Sequence, residues 1–182
     1  MKAVFKQNAF IRFVFTAGFL YLILYFIYQF IVKKYTFYDQ KFIGSIIYVA
    51  NFILKGIGYT TFTVLQDRDY QTIGIDGSNG VWIGSNCNAI TLFSLFSVFI
   101  IAYPGRIKDK LWFIPLGILV IHFLNIMRVI ALVLIARYYP HTLNFNHTYT
   151  FTFLVYSIIF LLWMVWVNKY SGRLNQKLNE SR

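Results

Sequence analysis

Four side chains in this sequence have the types that acyl transfer at a peptide bond needs, and they come from three separate stretches of chain: Cys87, then Asn125 and Arg128, then His147. A cysteine sulfur attacks a carbonyl carbon and holds the acyl group as a thioester. A histidine accepts the thiol proton and later returns it to the leaving amine. A guanidinium beside them stabilises the oxyanion of the tetrahedral intermediate, and arginine keeps its charge in a partly dry site. Asn125 lies one helical turn before Arg128, so it either orients the guanidinium or bonds a neighbouring helix.

Each of these residues also has a plainer role. Cys87 is the only cysteine, which excludes an intramolecular disulfide, and a lone cysteine is commonly a small buried hydrophobe. Arg128 could snorkel towards a membrane surface and His147 could be a solvated loop residue. Snorkelling fits Arg128 poorly, because its apolar segment runs on to Arg137 and an ionisable group inside a membrane is a functional candidate by default. What lifts the set above these readings is the depth at which the surrounding elements place it.

Those elements are membrane spans. Of the 182 residues 58% are hydrophobic and 13% charged, too little polar surface for a soluble domain of this size to show to water. The apolar residues fall in long runs at about 13–32, 88–104, 111–137 and 151–167. The expected fold is therefore an all-α polytopic membrane protein, one transmembrane domain over 1–182 with about four helices. The run at 111–137 is about 40 Å long at 1.5 Å per residue and should tilt or protrude. Residues 42–59 are apolar but broken by Gly44, Asn51, Lys55, Gly56 and Gly58, which suits an interfacial or re-entrant helix. The first run follows Lys2, Lys6 and Arg12 and ends in Lys33 and Lys34 without a small-residue cleavage site, so it reads as a retained helix.

The charge of +11 does not form a nucleic-acid stripe; basic residues sit at the ends of apolar runs. Placing Lys2, Lys6, Arg12, the loop Arg106, Lys108, Lys110 and the tail Lys169, Arg173, Lys177, Arg182 in the cytoplasm satisfies the positive-inside rule with both termini inside. Residues 33–87 then form an outer segment. Within it, Thr72–Ile75 and Val81–Ile83 flank the turn Asp76-Gly77-Ser78-Asn79-Gly80, a β-hairpin that hands the chain to Cys87.

On this topology Cys87 opens the second span at the outer face, where free helix N–H groups favour an anion. Arg128 lies about 26 Å above Leu111, near the outer edge of a hydrocarbon layer about 30 Å thick. His147 stands just before the fourth span on the same side. His122 falls near mid-membrane, with a hydrogen bond inside the bundle as its expected role, and His141 is a less suitable base after Pro140. Three scattered histidines and one cysteine have no metal-ligand spacing, and no cofactor is expected.

The segment Asn86-Cys87-Asn88-Ala89-Ile90 opening one span, Asn125-Ile126-Met127-Arg128 late in the next and His147 opening the last resemble the exosortase/archaeosortase family in its compact bacterial form, over about residues 75–167. The resemblance implies a cysteine peptidase or transpeptidase embedded in the cytoplasmic membrane and facing outward. Cys87 would be its nucleophile, His147 its acid/base and Arg128 its oxyanion stabiliser. It implies as partners exported proteins with a C-terminal sorting tail: a short motif, a transmembrane helix and a basic end. Many members carry Cys-Ser-Gly where this chain has Cys87-Asn88-Ala89, and the small third residue keeps close packing open.

Two other classes compete. In a non-catalytic membrane scaffold, Arg128 and Asn125 would simply join helices. In a transporter, polar residues would thread the bilayer, whereas the inner halves of these spans are aliphatic and aromatic.

Overall fold

The computed structural model describes residues 2–28, 30, 36–66, 70–84, 87 and 89–171. Lys33, Lys34 and the basic tail from 172, used in the topology reading, and Asn86 and Asn88 of the family motif lie outside the described residues.

The chain runs α1 (Lys2–Ile27), α2 (Thr36–Gly56), strands β1 (Thr61–Gln66), β2 (Tyr70–Ile75) and β3 (Val81–Ile83), then α3 (Ile90–Ala102) and α4 (Ile107–Tyr138). A tight turn at Pro140–Thr142, the single-turn α5 (Leu143–Phe145) and a wider π-type turn at Asn146–Thr150 lead without a break into α6 (Phe151–Val165). Among the described residues two helices are long and apolar enough to cross a membrane, Ile107–Tyr138 and Pro140–Tyr170; the apolar stretches Ile11–Ile27 and Ile90–Ala102 are shorter. The fourth apolar run thus belongs to a helix that begins well before Phe151, because its polar first turns hid its start.

α3 and α4 are antiparallel and close. A Cβ on Gly117 would overlap the Phe96 ring, so the missing side chain is what lets the two helices approach. α1 runs antiparallel to α3, with Phe13 edge-on to Phe99 at 5.3 Å and Tyr21 and Leu24 beside Ile90 and Thr91 at the other end. Phe99 stacks on Trp163 of α6 at 4.2 Å, and Phe113 meets Trp166 at 5.1 Å, which closes the bundle at the Arg106 end.

α4 has 32 residues, about 48 Å at 1.5 Å per residue, and it serves two cores in succession. Towards the Arg106 end, Phe113 and Ile121 pack with Phe96, Val155, Ile159 and Trp166. From Ile126 to Ala136 the same helix packs with α2 and the sheet. α2 buries Ile43, Ile46, Ile47, Ala50 and Leu54, one face at helical spacing, and leaves Tyr48 and Phe52 exposed on the other. The apolar run at 42–59 is therefore a helix packed along α4.

The expected hairpin is present with an additional strand. β2 pairs antiparallel with β3 in the register Thr72↔Trp82, and β1 pairs with the other edge of β2 in the register Thr63↔Ile73. Gly77 and Gly80 take positive φ in the β2–β3 turn, which only glycine adopts freely. Arg137 at the end of α4 donates to the Gly77 carbonyl at 3.3 Å and so ties this turn to the helix.

Candidate active site

The site lies at the seam between the two cores of α4. β3 ends at Ile83, and the Cys87 amide donates back to the Gly84 carbonyl at 2.8 Å, folding the chain into a tight turn. Ala89 then takes a left-handed conformation (φ 62°, ψ 6°) before α3 starts at Ile90. Cys87 is thus in the turn ahead of the helix, which starts at Ile90, two residues later than the apolar run from 88 implied.

Asn125, 3% exposed, donates its side-chain amide to the Cys87 carbonyl at 2.8 Å. This buried amide meets a carbonyl that precedes the helix and has no helical partner. Its bond goes to the nucleophile's backbone, not to Arg128. Arg128 is one turn further along. Its Nη2 donates to the His147 carbonyl at 3.3 Å, while its Nε is buried with no partner among the described residues.

His147 sits in the π-type turn of Asn146–Thr150, a widened helical geometry that re-aims side chains. Its Nε2 lies 3.6 Å from the Cys87 sulfur, within reach of a thiol–imidazole hydrogen bond given the size of sulfur. The two residues are 60 positions apart in sequence. The turn precedes α6, so His147 lies ahead of the apolar run at 151–167 that the sequence reads as the span. Burial, and secondarily the Arg128 charge, hold its imidazole below the usual histidine range, so it stays neutral and able to accept a proton.

A cavity of about 290 Å³ adjoins these residues, lined by Ala89, Thr91, Asn125, Arg128, Thr152 and Tyr156 among others. The hydroxyl groups in it were not singled out by sequence reasoning, although threonines and a tyrosine near the ends of apolar runs were the available signal. The other two histidines stand apart. His141 is exposed. His122 packs against the rings of Phe42 (5.3 Å) and Phe93 (6.3 Å), and its Nδ1 has no hydrogen-bond partner among the described residues, so aromatic packing replaces the expected bundle hydrogen bond.

The structure therefore brings Cys87, Asn125, Arg128 and His147 together, at the end of the bundle away from Arg106. A thiol, a neutral imidazole and a guanidinium in one place form a set able to make and resolve a thioester. Among known proteins, the family described as transmembrane exosortase (Exosortase_EpsH) matches residues 3–169. No curated protein and no solved structure matches the chain. The family match covers nearly the whole sequence, where the motifs around Cys87, Arg128 and His147 covered only short pieces, and it makes this a membrane protein. The chain belongs to the transmembrane exosortase family.

Proposed function

We propose that this protein is a membrane-embedded cysteine peptidase or transpeptidase that removes the C-terminal sorting tail of exported proteins through a thioester on Cys87. The observation that carries the reading is the 3.6 Å approach of the Cys87 sulfur to His147 Nε2, built from residues 60 positions apart on different elements beside Arg128. The positive-inside reading of the basic residues, with four spans and both termini in the cytoplasm, supports a site at the outer face of a cytoplasmic membrane.

The steps follow from the groups present. His147 accepts the thiol proton as sulfur attacks the carbonyl, and an Arg128 N–H faces the resulting oxyanion. The C–N bond breaks as His147 returns the proton to the leaving amine of the tail. Water or an acceptor amine then adds to the thioester, His147 takes its proton, and the thiol is restored.

A scaffold role has one observation on its side: Asn125 and Arg128 both donate to main-chain carbonyls and so hold elements together. One experiment separates the two. In the native host, Cys87→Ala is compared with wild type by mass spectrometry of the C-terminal peptides of surface proteins, with membrane abundance measured alongside. The peptidase reading expects several exported proteins to keep hydrophobic, basic-ended tails at normal variant abundance. Unchanged tails with an abundant variant would favour the scaffold.

A further inference from the structure

The cavity between α3, α4 and α6 has a lining that a lipid-facing hollow does not need. Thr91 is exposed, Tyr156 is 50% exposed, and with Thr152 they bring three hydroxyls to a place between apolar helices. None of these hydroxyls is engaged in a hydrogen bond among the described residues. Asn125 and Arg128 form the inner wall, and the Arg128 Nε is buried without a partner. The cavity starts beside Ala89, next to Cys87, and continues along α3 and α6 towards the bundle interior.

We infer that this cavity is a lateral portal between α3 and α6 that binds an unwound polypeptide backbone, the first residues of the leaving tail on the C-terminal side of the scissile bond. This rests on the peptidase reading and adds to it the route of entry and the groups that bind there. A transmembrane helix satisfies all its own N–H and C=O groups, so its peptide bonds are closed to attack. Cleavage beside the bilayer requires the helix to unwind at its end. Non-helical backbone at that depth persists only where protein lines it with hydrogen-bonding groups. The three hydroxyls supply donors and acceptors, and Arg128 lines the same cavity.

The geometry also gives the direction of entry. α3 and α6 are pinned at the Arg106 end by Phe99 on Trp163, and at the other end the cavity lined by Thr91 of α3 and Thr152 and Tyr156 of α6 lies between them. A second groove, of about 240 Å³ beside Ala17, Gly18, Leu95 and Trp163, is almost wholly apolar. It has nothing to offer an unpaired peptide group and suits an acyl chain or an intact helix.

The test uses full-length Cys87→Ala protein in the native host, with the photocrosslinker p-benzoylphenylalanine at position 91, 152 or, for the apolar groove, 18. Adducts are identified by mass spectrometry. Tail segments of exported proteins should be captured at 91 and 152 in preference to 18. Capture at 18 instead, or lipid alone at 91 and 152 while tails accumulate, overturns the portal and leaves the peptidase reading standing. If Cys87→Ala leaves no uncleaved tails, the peptidase reading has failed and the portal falls with it. In the active protein, Thr152→Trp should slow tail removal roughly 100-fold by filling the portal, and Thr152→Ser should keep it. Normal processing by an abundant Thr152→Trp protein also overturns the inference.

Discussion

Asn125 gives its buried side-chain amide to the main-chain carbonyl of Cys87 at 2.8 Å, so the backbone of the proposed nucleophile is held by a side chain of a neighbouring helix. The turn at Cys87 lies between a short strand and a helix that starts only at Ile90, and neither element fixes it alone. That bond gives Asn125 the role of a positioning residue in the proposed reaction, setting where the sulfur stands relative to His147.

Replacing it tests this. Asn125→Leu leaves the Cys87 carbonyl without its partner, a loss of about 1–3 kcal/mol, and a displaced nucleophile is expected to slow tail removal roughly 100-fold. Asn125→Gln keeps a donor and should recover part of the rate, while Asn125→Asp, an acceptor when ionised, should not. Rates are measured on purified protein in detergent and normalised to folded protein. Equal rates for Leu and wild type would remove the positioning role.

Ala89 offers a prediction of opposite sign. Its φ of 62° is a left-handed conformation that costs an L-residue about 1–2 kcal/mol. Glycine avoids that cost but loses about 0.4–1 kcal/mol through the freedom of its unfolded chain. Ala89→Gly should therefore raise thermal stability by roughly 0.5–1 kcal/mol, and Ala89→Val should lower it. Thermal unfolding in detergent reads both. A lower melting temperature for the glycine variant would mean that the turn is not left-handed.

His147 makes the reaction depend on pH. Burial first, and Arg128 second, keep its folded-state value below the ordinary 6.5 or so, and the neutral form is the proton acceptor. The acid limb of tail cleavage should then lie below about pH 6.5. Stability has the matching sign: it is fully present above the unfolded value and declines as pH falls through the window towards the lower folded value, where the unfolded chain binds the extra proton. Because Cys87 is the only cysteine, iodoacetamide reports on it alone. His147→Ala should slow its alkylation near neutral pH and reduce cleavage about 100-fold or more. An acid limb above the ordinary histidine range would contradict this environment.

Depth was legible in the sequence because it follows from counting along apolar runs at a fixed rise per residue. Cys87, Arg128 and His147 were placed at one level that way, and the structure puts them in one site. Lateral order is not encoded by depth, so the Asn125 bond to Cys87 and the open side between α3 and α6 had to be seen. Ala89 was read as a packing choice, but its structural peculiarity is a backbone angle, which residue type alone reports only when the residue is glycine. A helix at 42–59 was legible, but the interruptions at Gly44 and Asn51 hid the continuous face of Ile43, Ile46, Ile47, Ala50 and Leu54 that packs it along α4. The turn residues at 76–80 announced the β2–β3 hairpin correctly, while β1 emerged as a third strand because Thr61–Gln66 has no turn signal of that quality on its far side.

The most direct measurement is the state of the Cys87 sulfur during turnover. Purified protein is mixed with the tailed substrate identified in the native host, quenched in acid and digested, and the peptide containing Cys87 is weighed. The account predicts an acylated Cys87 whose added mass matches the substrate segment ending at the cleavage site, released by neutral hydroxylamine as a thioester would be. Tail cleavage with Cys87 remaining a free thiol, or undiminished cleavage by Cys87→Ala, would contradict it.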